Sequence, residues 1–212
     1  MRRLALSLLI SFLLAAPAEG RTRVLGSTLQ AKADQVEAHQ ADSAFWPQRI
    51  RGGRAFRAPS EGQVLAIRLK GIAQKPAGAP DPLNEVHFQS LVPLPNGDML
   101  AMLTSQPFYV PIGGDAQRIT TYRPENLCMR EGGVLAFNDE GGWAPPWYQD
   151  GVPFQVFSSR KGSRTARFTA NNGTNNGDEF SPMPRRGSEL LMQFTFGTGR
   201  HLGVPCRNYL RG

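Results

Sequence analysis

The chain has 212 residues, 24 of them basic and 17 acidic, for a formal charge of +7. Apolar residues make up 40% and charged residues 19%, which excludes a disordered, core-poor chain. With 23 Gly and 17 Pro, many short elements joined by turns are expected rather than long helices.

Residues 1–18 read as an export signal. Arg2 and Arg3 give the positive start, Leu4 to Ala16 an apolar stretch, and Ala16-Pro17-Ala18 the small residues of a cleavage site. The alternative is a buried N-terminal helix or an uncleaved anchor. After residue 18, no apolar run is long enough for a membrane span. Export leads to an oxidising compartment, in the periplasm, wall or medium. There Cys128 and Cys206 are expected to form a disulfide, closing a loop of 79 residues. The chain-entropy model gives it at most ~4.5 kcal/mol. Two free thiols or a metal pair are the alternatives; two Cys with no His nearby make a poor zinc site.

Residues 19–57 read as a lead segment. Leu25, Leu29, Ala33 and Val36 fall at helical spacing in a thin stripe, so a marginal helix or an extended run is expected. The segment ends in Arg49, Arg51, Arg54 and Arg57 around Gly52-Gly53. From Pro59 onward the period changes to two. Leu65, Ile67 and Leu69 alternate with Ala66, Arg68 and Lys70, the pattern of a half-buried strand. Val86 to Val92 and Asp98 to Thr104 flank Asn96-Gly97, a hairpin signal. Further strands are expected at 107–112, 117–122, 133–138, 152–158, 164–170 and 188–196. About nine short strands without crossover helices imply antiparallel pairing. The expected fold is an all-β, jelly-roll-like sandwich over 58–199, followed by a tail at 200–212 pinned by the disulfide.

One stretch carries a resemblance. Phe56-Arg57-Ala58-Pro59-Ser60-Glu61-Gly62-Gln63-Val64, then Ile67-Arg68-Leu69-Lys70-Gly71, is followed by Thr104-Ser105, Thr121-Tyr122-Arg123-Pro124 and Glu131-Gly132-Gly133. Over residues 55–199 this resembles a loose group of secreted bacterial β-sandwich proteins, common in soil actinobacteria. The resemblance implies the fold and an extracytoplasmic place, and carries no activity.

Several constellations could carry function. Residues 143–148 put Trp143, Trp147 and Tyr148 on a stiff Gly/Pro loop, which is either a sugar-binding platform or a lid over the core. Asn172, Asn175, Asp178 and Glu179 are dense in oxygen ligands, suited to a structural calcium ion or simply to a hairpin tip. Arg49, Arg51, Arg54 and Arg57, with a second cluster of Lys161, Arg164 and Arg167, suit an acidic polymer or form a solvated basic face. No nucleic-acid signature accompanies them, and none is expected as a partner. Hydrolytic motifs are absent, and His39, His87 and His201 are scattered. Asp139, Glu140, Asp178 and Glu179 are acids by type only. The expected role is therefore non-catalytic binding, of extracellular polysaccharide first. A structural or envelope-interaction protein contacting proteins or acidic polymers comes second, and a hydrolase using loop carboxylates third.

Overall fold

The computed structural model describes residues 20–75, 84–139, 151–169 and 174–210. Residues 1–18, read above as an export signal, lie outside them. In chain order the first strands are β1 (Thr22–Gly26), β2 (Gln35–Glu37), β3 (Ser43–Arg49), β4 (Gly62–Lys70), β5 (Ile72–Ala73), β6 (Glu85–Pro93) and β7 (Met99–Thr104). There follow β8 (Phe108–Tyr109), β9 (Ile119–Tyr122), β10 (Cys128–Met129), β11 (Val134–Asp139) and β12 (Phe154–Thr169). The last are β13 (Glu179–Phe180), β14 (Met183–Leu190) and β15 (Met192–Gly197), before a short tail helix α1 (Val204–Tyr209).

The smaller sheet runs β1-β15-β4-β10, with β9 also on β4. The larger runs β13-β7-β6-β11-β3-β12-β14, with β2 and β5 on β12 and β8 on β6. Every strand pairing is antiparallel. The main core joins the two sheets: Ile67, Phe194 and Phe196 from the smaller meet Phe45, Phe88, Phe137, Phe154 and Phe157 from the larger. Each such side chain contributes roughly 1.5–3 kcal/mol on burial. The alternate residues of the larger sheet, among them Ala44, Trp46, Leu91, Ala136 and Ala166, form a second cluster with Phe180 on its other face. An all-β antiparallel sandwich is therefore the fold.

Four expectations are corrected. The lead segment is built into the sandwich, with β1 pairing β15 and β3 lying between β11 and β12. Of its two expected states the extended one holds, with Leu25 in β1 and Val36 in β2. The strands number fifteen rather than nine among the described residues. The two strands expected at 152–158 and 164–170 belong to one long β12, whose register shifts between Ser159 and Arg164. Finally, the strand expected at 188–196 breaks at Leu191 and changes sheets. Leu191 N–H donates to Val156 in the larger sheet at 2.9 Å, while its carbonyl accepts from Lys70 N–H in the smaller at 3.0 Å. Beside it β4 crosses to β5 through Gly71, at φ +134°, where a Cβ would lie 2.0 Å from the Gln155 carbonyl oxygen. Such corners let one chain serve two packed sheets.

The Asn96-Gly97 hairpin joins β6 to β7 as expected, closed by Gly97 N–H on the Leu94 carbonyl at 3.0 Å. Cys128 and Cys206 form a disulfide, with Cα atoms 5.4 Å apart. It holds α1 against β10, helped by Gly203 N–H donating to Gln63 Oε1 at 2.7 Å. Among the described residues no helix is long and apolar enough to cross a membrane.

Candidate functional site

The register shift in β12 lies beside a concavity. Beyond Ser159 the strand bends through Gly162, at φ +93°, and β14 turns beside it through Gly187, at φ +74°. Both conformations favour glycine. Where pairing resumes, Arg164 stands opposite Arg186 on β14 and opposite Arg49 at the end of β3. Adjacent strands lie ~4.8 Å apart, so three guanidinium side chains rise from one short row. Together with Lys161, Ser163 and the two glycines they line a pocket of about 390 Å³. That volume lies within the range of small-ligand sites. Like charges directly opposite across strands are unfavourable, by roughly 0.2–1 kcal/mol each. Packing gives no reason for the row.

The counter-charge lies beneath the pocket and is already engaged. Glu189, 2% exposed, accepts from Ser27 Oγ at 2.8 Å and from Ser163 Oγ at 2.6 Å, and lies 3.5 Å from Arg160 Nε. Ser163 Oγ in turn accepts from Arg51 N–H at 3.0 Å. No acidic side chain lines the pocket among the described residues, and Arg164 Nε has no hydrogen-bond partner there.

The two basic clusters are thus redistributed. Arg49 joins Lys161 and Arg164, while Arg51 lies beside Gly162. Arg54 is tied down by its Nε–H donating to the Gly26 carbonyl at 2.5 Å. Arg57 leaves for the Gly132 carbonyl at 3.0 Å and the Phe56 ring. Arg167 turns to Glu37, 2.9 Å away, which also pairs with Arg185. Burial holds the Arg185 guanidinium below its ordinary pKa. Arg186 escaped the sequence reading; the Arg185-Arg186-Gly187 run was its signal. A second, smaller concavity of about 200 Å³ is lined by Arg21, Arg23, Pro59, Ser60, Phe196 and Thr198.

The sequence reading also missed a buried pair. His39 Nε2 lies 2.7 Å from Asp139 Oδ2, with both side chains fully enclosed. The same carboxylate oxygen accepts from Val152 N–H at 3.0 Å. The imidazole stacks on Phe154 and meets Phe45 edge-on. Asp139, one of the four acids considered for hydrolysis, is thereby sealed in the core. His87 lies elsewhere, its Nδ1 2.7 Å from the Ser105 carbonyl oxygen and its Nε2 3.5 Å from Glu85. His201 sits in the tail, in a single turn of 3-10 helix.

Trp143, Trp147, Tyr148, Asn172 and Glu140 lie outside the described residues. Of the remaining oxygen-rich group, Asp178 accepts from Asn175 N–H at 2.8 Å and from its amide at 3.3 Å, while Glu179 opens β13. Asp178 therefore serves a turn. Among the described residues no group of three or more His, Cys, Asp or Glu is placed to hold a metal ion. Comparison of the chain with protein-family models, with curated proteins and with solved structures finds no match in any of the three.

Proposed function

We propose that the protein is an exported, non-catalytic binding protein that docks acidic polymers of the cell envelope through its cationic pocket. The observation that carries this reading is the convergence of Arg49, Lys161, Arg164 and Arg186 on one concavity with no acidic side chain in its lining among the described residues. Four cations held together above a carboxylate that is already engaged leave attraction for an anion from outside. Arginine forks match carboxylate and phosphate oxygens bidentately. The export signal and the disulfide support a place outside the cytoplasm. Polysaccharide stays within this reading when it is acidic.

Retention of the purified protein on an immobilised polyanion tests it. With four contacts, binding should fall with salt at a log–log slope of roughly −3. Arg164→Glu should abolish retention at low ionic strength. Salt-indifferent retention, or an unchanged Arg164→Glu variant, would refute the proposal.

A further inference from the structure

We infer that the charged group this pocket takes is a dianionic phosphate monoester carried on the polymer. The inference rests on the reading above and narrows it. A carboxylate offers one charge and two oxygens, and a single arginine fork satisfies it. The pocket supplies three guanidinium groups from three adjacent strands, plus the Lys161 ammonium. A phosphate monoester offers nearly two charges and three strong acceptor oxygens. Those oxygens point in different directions, so several arginines standing around one concavity can each meet one. Arg164, flanked on both sides by another arginine, is the centre of that arrangement. The polar floor does not compete, because the Ser163 hydroxyl is committed to Glu189, and Glu189 also faces Ser27 and Arg160. The volume of about 390 Å³ exceeds what one phosphate fills, which leaves room for the sugar or polyol that carries it.

The test is competitive elution of the full protein from a polyanionic matrix at matched ionic strength. The competitors are glucose 6-phosphate, inorganic phosphate and glucuronate. Glucose 6-phosphate should elute at a concentration at least ~10-fold below that of glucuronate, and this advantage should shrink from about pH 7.5 to about pH 5, where the phosphate loses its second charge. Among the described residues no histidine lines the pocket, so the pH effect reports the ligand. Arg164→Lys, which keeps the charge and loses the fork, should still be retained but should no longer prefer phosphate over glucuronate. Equal potency of glucuronate, or a pH-independent phosphate advantage, would overturn the assignment while leaving polymer binding intact. Inorganic phosphate eluting as well as the sugar phosphate would overturn the polymer-borne source in favour of the free ion. Failure of the wild-type protein to bind the matrix would instead strike the underlying reading, and this inference with it.

Discussion

The interior and the pocket handle charge in opposite ways. Glu37, Asp139 and Glu189 are each at most 3% exposed, and each has partners: Arg167 and Arg185, His39, and Ser27 with Ser163 and Arg160. In the pocket four cations stand together with no acid in the lining among the described residues. The difference follows from dielectric. A charge away from water costs several kcal/mol when its partner is missing, so folding enforces pairing there. Cations at an open concavity are hydrated and screened, and their repulsion is tolerable. Unmatched charge can persist only where folding does not remove it, and that is where an external ligand can use it.

Substitutions on the two sides should therefore separate stability from binding. The largest stability loss is expected for Asp139→Ala, which strips His39 of its partner and Val152 N–H of its acceptor. Denaturant unfolding should show a loss of about 3–5 kcal/mol, with the folded fraction still retained on a polyanion. A loss below about 1 kcal/mol would erase the contrast. Replacing Cys128 and Cys206 together by Ser should cost about 2–4 kcal/mol, read as a lower Tm with unchanged retention.

Tyr122 extends the contrast to a neutral group. Burial pushes its phenol up to about 12, against the smaller opposing effects of the nearby Thr120 hydroxyl and the Arg118 charge. The fold thus favours the protonated phenol. Its contribution is complete below about pH 10 and is lost as pH rises from there through about 12, because the unfolded chain ionises first. The loss is on the order of 2–3 kcal/mol, and a Tyr122→Phe variant should lack that part of the alkaline instability. At the small end, Arg49→Ala and Arg186→Ala should change stability by no more than about 0.5 kcal/mol while shifting polyanion elution to clearly lower salt. Stability losses as large as that of Asp139→Ala would place these arginines in the architecture instead.

What could be read from sequence followed the range of the forces involved. The Asn96-Gly97 hairpin and the strand around Ile67 and Leu69 are local, and their residues stated them, although a register shift places Val64 rather than Leu65 in the core beside Ile67 and Leu69. The cysteine pair was legible because only two candidates existed. β3 was not, because alternation disappears when both faces of a strand are covered: Phe45 and Trp46 point opposite ways into two clusters. β11, buried at every position, gives the same flat signal, although its apolar run still marked it as a strand. The His39–Asp139 pair joins residues 100 positions apart, and the pocket joins β3, β12 and β14. Neither has a local signature. The sequence showed the right kind of residue in two basic clusters, but the bend at Gly162 decided which members meet.

The disulfide also sets how the molecule would bear force. Cys206 of the tail is bonded to Cys128 of β10, across 78 positions of chain. A pull applied at the tail passes directly into the smaller sheet and bypasses β11 to β15. Roughly 270 Å of contour length is thereby shielded from extension. A protein gripping a polymer at its Arg164 pocket would keep the β12 and β14 sides of that grip inside the shielded stretch, so tension at the tail would not extend those two strands.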